Sequence, residues 1–255
     1  MQHDPTPSTT LPSPTRPSPS RRRVRRTWLA VVSLVALATL PLFAAAATPA
    51  AQGLVAGVDY VDMPGGTAFA PQPGKIEVVE VFGYTCPHCA HFEPLLRAWK
   101  AKLPADVEVV AVPAPFGGYW IPYAQAFYAA QSMGLLERSH SAMFRAIHEQ
   151  RRLPIGGVTP TQIAGFYADY GADPEKFAQA MASPQTQAKL VQARDFLQRS
   201  GVEGTPSLIV AGKYRVLGNS AQDMLRIADA LIQRERAAQA RPKTERPTRK
   251  PVTGT

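Results

Sequence analysis

The only two cysteines in the 255-residue chain, Cys86 and Cys89, stand three apart where the hydrophobic pattern changes. Upstream, residues 76–82 form an apolar, β-branched run. Downstream, residues 87–102 carry apolar side chains at helical spacing. A Cys-x-x-Cys pair where a strand gives way to a helix puts the first sulfur at a helix N-terminus and reads as redox chemistry. Closing so short a loop with a disulfide adds little stability. The pair is therefore better explained by reactivity than by stapling.

Charge and proline sort the rest of the chain. The net charge of +9 belongs to the ends. Residues 1–26 carry six Arg against Asp4, and residues 234–255 carry seven Lys or Arg against Glu235 and Glu245, +5 in each case. The remainder is close to neutral. A nucleic-acid-binding domain would carry its basic patch on the fold, so no nucleic-acid partner is expected. The 25 prolines, about twice the usual share, also crowd the ends. Residues 1–20 and 237–255 read as disordered.

A basic segment, residues 21–26, precedes an uncharged apolar run at residues 28–47 that ends in Ala45-Ala46-Ala47. That order is a secretory signal with a small-residue cleavage site. An uncleaved anchor is the alternative, since twenty apolar residues can just span a bilayer. A translation start downstream of Met1 would fit the late position of the basic segment. Either way the folded part is exported, with the basic residues left inside. In an oxidising compartment such as the periplasm, a lone Cys pair can cycle as a disulfide.

The pattern predicts strands at residues 58–61, 75–84, 107–113, 207–211 and 213–216, the last two joined by a tight hairpin at Gly212. Helices are predicted over residues 87–102, 121–134 and 136–149, and Pro94 should kink the first. Thr159-Pro160-Thr161-Gln162 reads as a capping box, and Asp173-Pro174 and Ser183-Pro184 as caps followed by proline at the first helical position. A last helix starts at Asn219-Ser220, and past Arg234 the chain reads as solvated tail. The organisation is thus a leader (1–47), a first α/β part (48–116), a helical block (117–200), a second α/β part (201–236) and a basic tail (237–255).

With Cys86-Pro87-His88-Cys89, Glu80 six positions upstream, the helical insertion and Gly204-Thr205-Pro206 before the returning strand, the chain resembles the DsbA family of thiol:disulfide oxidoreductases. The resemblance covers about residues 55–238. It implies an α/β thioredoxin fold with an inserted all-helical domain, a cis bond before Pro206, and Thr205 main-chain groups facing the disulfide, where they can pair with an extended substrate. Thr205 departs from the Val common in the best-known relatives, and the basic tail lies outside the family pattern. Both bear on substrate preference and not on reaction type.

The chemistry follows from position. Cys86 at a helix N-terminus meets free N–H groups and the positive end of the helix dipole, which favour a thiolate. His88 can donate to that thiolate or set a positive charge beside it. Cys89, one turn in, should be buried, with a higher pKa, and should pair with Cys86. Stabilising the reduced form makes the disulfide more oxidising, a sign the resemblance also implies. Glu80 shares a strand face with Ile76, Val78 and Phe82. Burial there would raise its pKa and suit it to move protons for Cys89, whereas a strand-edge Glu would simply reach solvent. Cys86, His88, Cys89 and His91 could suggest a metal, but Pro87 and a single helical turn hinder tetrahedral convergence. Ala90 rules out c-type haem attachment. No metal or cofactor is expected. His140 and His148 have no assigned chemistry. Phe82, Tyr84, Trp120 and Tyr123 are candidates for an apolar docking surface or for core.

These readings predict a periplasmic dithiol oxidase for newly exported proteins with free thiols. The resemblance implies reoxidation by a DsbB-like, quinone-linked membrane partner. A monomer is expected, without an N-terminal dimerisation domain. A reductase or isomerase of the same fold is the alternative enzyme. A non-catalytic peptide-binding chaperone is the alternative from another class, and Cys86→Ser would leave it nearly intact.

Overall fold

The computed structural model describes residues 53–240. The proposed signal or anchor, its Ala45-Ala46-Ala47 site and most of the basic tail lie outside these residues. Among the described residues no helix is long and apolar enough to cross a membrane.

Five strands form one mixed sheet in the order β1-β5-β4-β2-β3. They are β1 (Tyr60–Asp62), β2 (Ile76–Phe82), β3 (Val107–Pro113), β4 (Ser207–Val210) and β5 (Tyr214–Val216). Strand β2 is central. It pairs parallel with β3 across helix α1 (Pro87–Lys100), and antiparallel with β4. All seven of its residues are buried, as a strand covered on both faces requires. Its two carboxylates therefore need partners or a proton. Glu77 has partners, accepting the main-chain N–H groups of Phe69 (2.7 Å) and Ala70 (2.6 Å) and so pinning the loop after β1. Helix α1 runs through Pro94, whose missing N–H leaves the Ala90 carbonyl without its usual helical donor.

Between β3 and β4 lie α2 (Trp120–Ser132), α3 (Leu136–His148), α4 (Pro160–Ala168), α5 (Pro174–Ala182) and α6 (Pro184–Arg199). The three predicted caps are present. Thr159 forms a reciprocal capping box with Gln162, and Asp173 and Ser183 accept the N–H of Lys176 and Thr186. These helices have no separate core. Val79, Val81 and Phe82 of β2 and Val112 of β3 pack in one cluster with Phe127, Phe144, Ile163 and Phe177. A second cluster joins Ile76, Val78 and Val210 to Phe92 and Leu96 of α1 and to Ile227 and Leu231 of the last helix, α7 (Ala221–Ala240).

Two expectations change. The first strand begins at Tyr60, because Val58 sits in a turn whose Asp59 carboxylate accepts the Val55 N–H at 2.7 Å. The last helix does not fray at Arg234 but continues to Ala240, because the charges read as tail have partners. Glu235 is buried and accepts from Lys213 and Tyr214. Arg236 makes a two-pronged pair with Asp106 (2.7 and 2.8 Å). The Arg234 guanidinium lies over the Tyr60 ring at 4.8 Å. The predicted hairpin is present, and at its Gly212 (φ +65°) an added Cβ would lie 2.3 Å from the Thr67 main chain. That position needs glycine on both counts.

Candidate active site

Helix α1 begins immediately after Cys86, which is its N-cap in an extended conformation (φ −84°, ψ 117°). Pro87 follows at the first helical position, where a missing N–H costs nothing. The first main-chain N–H groups left to face the Cys86 sulfur are those of His88 and Cys89. Cys86 is 7% exposed and Cys89 0%. The geometry described is that of the dithiol form, with both cysteines free.

The Thr205–Pro206 peptide is cis, as the resemblance implies. It brings the Thr205 carbonyl to 3.4 Å from Cys86 Sγ, close enough to accept the thiol proton. Ionisation is favoured by other groups. The Cys89 thiol, then the Thr205 side chain and the N–H groups of Cys89 and His88, lower the Cys86 pKa to about 5 against an opposing effect of burial. Burial, and then the neighbouring Cys86, push the Cys89 thiol far up. The two sulfurs are thus tuned in opposite directions.

His88 stands at the open side of the site. Its side chain is exposed and lines a groove with His91, Phe92, Leu95, Thr205, Pro206 and Met224. The His88 main-chain N–H is among the groups that favour the Cys86 thiolate. His91 faces the same groove, away from enclosed Cys89. Among the described residues no three His, Cys, Asp or Glu side chains converge as a metal site.

Glu80 is 2% exposed in a strand with neighbours on both sides, Ala111 and Leu208, so it is not an edge residue. It faces a cavity of about 710 Å³ between α1, α3 and the sheet, floored by Leu96, Val109 and Phe127. Burial, and then the charge of Glu93, raise its pKa to about 8, with Lys100 opposing. Glu93 lines the same cavity, raised by burial and restrained by a 2.5 Å bond from Ser141 Oγ.

Sequence reasoning does not reach the polar groups that line the cavity beside Glu80. The sequence pattern gives Glu93, Ser141 and His140 no part in the chemistry. Here His140 Nε2 stands 3.7 Å from Glu93 and Nδ1 stands 2.8 Å from the Tyr84 hydroxyl. One signal was available for Glu93. It follows Cys89 by four residues, on the buried stripe of Cys89, Phe92 and Leu96.

The four aromatic candidates also separate. Phe82, Tyr84 and Tyr123 are core. Trp120 is partly exposed, lies against Gly83, and stands with Phe116 and Tyr119, which are 43% and 47% exposed.

Comparison with known proteins agrees with this geometry. The DSBA-like thioredoxin domain model matches residues 77–228. The thiol:disulfide interchange protein DsbA of Pseudomonas aeruginosa strain PAO1 is 42% identical over 205 residues, 79% of this chain and 94% of that protein. The protein of that name from Azotobacter vinelandii is 39% identical over 222 residues, 86% of this chain and all of its own length. Among solved structures, the oxidoreductase DsbA of Xylella fastidiosa superposes with a TM-score of 0.71 at 49% identity, covering 72% of this chain and 98% of its own. A match over most of the chain, with the paired thiols at the head of α1, shows that the chain belongs to the family of DSBA-like thioredoxin domains.

Proposed function

We propose that this thiol:disulfide oxidoreductase donates its Cys86–Cys89 disulfide to newly exported proteins in the periplasm. The observation that carries the reading is the opposite tuning of the two sulfurs, Cys86 pulled down and Cys89 pushed up. A substrate thiolate attacks Cys86 Sγ. The Cys86–Cys89 bond breaks, and Cys89 leaves and takes up a proton. A second substrate thiolate attacks the substrate sulfur of the mixed disulfide and expels Cys86. Two substrate thiols have become one disulfide, and the protein has gained two electrons. A low-pKa thiolate leaves fast, which drives the second displacement.

Glu80, protonated at neutral pH and open to a cavity, is suited to supply and recover the Cys89 proton. The Thr205 main chain would hold an extended substrate segment, and Phe116, Tyr119 and Trp120 offer it an apolar surface beside the site. Reoxidation would fall to a DsbB-like, quinone-linked membrane protein, and the working unit would be a monomer. Export rests on the leader, residues 21–47.

The test is the redox equilibrium of the purified protein against glutathione, followed by thiol alkylation. A disulfide far more oxidising than the glutathione pool is expected. A strongly reducing one would move the function to reductase.

A further inference from the structure

Helix α3 grips the active-site loop at one residue. His140 Nδ1 lies 2.8 Å from the Tyr84 hydroxyl, and His148 Nε2 lies 2.8 Å from the Tyr84 main-chain oxygen. A carbonyl only accepts, so His148 donates through Nε2–H. His140 is buried among Phe82, Tyr84, Phe127 and Phe144, with ring centroids 5.0–5.9 Å away. Burial, and then Lys100, lower its pKa to about 4, so at neutral pH it has one donor and one acceptor. Both are placed when Tyr84 Oη–H donates to Nδ1 and Nε2–H faces Glu93, 3.7 Å away on α1.

The grip falls two residues before the nucleophile. The Cys86 N–H closes a turn onto the Gly83 carbonyl at 3.0 Å, and Tyr84 and Thr85 are the residues inside that turn. Thr85 cannot anchor it, because its hydroxyl is buried without a partner. The orientation of the Tyr84 peptide therefore sets how Cys86 enters α1. Hydrogen bonds weaken steeply as their angle degrades, so a small rotation there loosens the N–H groups around the sulfur.

We propose that His148 and His140 are positioning residues for thiol–disulfide exchange, holding Tyr84 at its main chain and its hydroxyl so that the loop presents Cys86 to the His88 and Cys89 N–H groups. The proposal rests on Cys86 being the attacked sulfur. It gives the helical block a part in setting the redox poise, transmitted through one tyrosine.

The experiment compares wild type with His148→Ala, His148→Gln and Tyr84→Phe in the full chain. Three quantities are read: the ultraviolet thiolate absorbance of the reduced protein against pH, the glutathione equilibrium, and the melting temperature. His148→Ala should raise the Cys86 pKa by about one unit and make the disulfide about tenfold less oxidising, roughly 30 mV. His148→Gln retains an N–H donor and should recover most of both changes. Tyr84→Phe keeps the His148 contact, removes the hydroxyl that meets His140, and should shift both quantities about threefold in the same direction.

A lower melting temperature with unchanged thiolate titration and equilibrium in His148→Ala would make the contact merely structural and overturn the proposal. So would a His148→Gln protein no better than His148→Ala. If His148→Ala fails to fold, wild-type values in both other variants overturn it. A wild-type protein whose Cys86 does not titrate low fails differently, because it removes the reading of the nucleophile and the grip with it.

Discussion

The sulfur of Cys86 lies 3.4 Å from the main-chain oxygen of Thr205. The thiol can donate to that oxygen and the thiolate cannot, so the carbonyl favours the neutral form. The Thr205 side chain acts the other way and favours the anion. Thr205→Val deletes only the hydroxyl and keeps the carbonyl. The Cys86 pKa should rise, and the disulfide should become several-fold less oxidising, both readable by thiolate absorbance and glutathione equilibrium. An unchanged titration would show that the Thr205 side chain has no part in the tuning.

The number of protons taken up on reduction depends on which thiols ionise. With Cys86 at about 5 and Cys89 far higher, reduction at neutral pH consumes one proton, at Cys89. Below about pH 5 it consumes two. Each proton changes a two-electron potential by about 30 mV per pH unit. A plot of potential against pH should therefore slope at about 30 mV per unit above pH 5 and about 60 mV below. The depressed pKa also stabilises the reduced fold. That contribution is full above the unfolded-state thiol pKa, declines as pH falls, and is gone below about pH 5. A slope of about 60 mV persisting to pH 7 would mean that Cys86 is an ordinary thiol.

Glu80 has the opposite linkage. Its folded pKa of about 8 lies above the ordinary carboxyl value, so the folded state holds its proton where the unfolded state has lost it. Stability from this group is complete below about pH 4.5 and is lost as pH rises toward 8. At pH 7 the loss comes to about 3 kcal/mol. Glu80→Gln keeps the shape and removes the penalty. It should unfold at higher denaturant concentration at pH 7 and above, and lose most of the wild-type pH dependence between 5 and 8. It should also slow the exchange step in which Cys89 gains or loses its proton. A variant no more stable than wild type at pH 8 would count against a neutral, buried Glu80.

Whatever is local was legible in the sequence. The Cys86-Pro87-His88-Cys89 junction lies between residues adjacent in the chain, and so do the caps at Thr159, Asp173 and Ser183, each bonding three residues ahead. What escaped depends on long closures. Glu93 meets Ser141 across 48 residues, and Tyr84 meets His140 across 56 and His148 across 64. No periodicity on α3 says which strand end its histidines will face. Arg236 misled for the same reason. Its run of charge has the composition of a tail, and its partner Asp106 lies 130 residues away. Composition describes a segment's neighbours in sequence, and a salt bridge answers to its neighbours in space.

Gly83 and Trp120 test how tightly the aromatic surface is tied to the active-site loop. A Cβ at Gly83 would lie 2.0 Å from a Trp120 ring carbon, far inside contact distance, so the indole sits where any other side chain would be. Trp120 in turn packs edge-on against Phe116 and stacks on Tyr119. Gly83→Ala must therefore displace either the indole or the loop whose Gly83 carbonyl accepts the Cys86 N–H. Overpacking of this kind costs about 1–3 kcal/mol. Trp120→Ala alone removes the apolar surface and should slow oxidation of an unfolded thiol protein while leaving the glutathione equilibrium near wild type. In the double variant the clash has no partner. The Gly83→Ala penalty should then largely vanish, and the stability cycle should show a coupling of at least 1 kcal/mol. Additive effects would mean that the indole moves aside at no cost, and that the docking surface and the loop before Cys86 are independent.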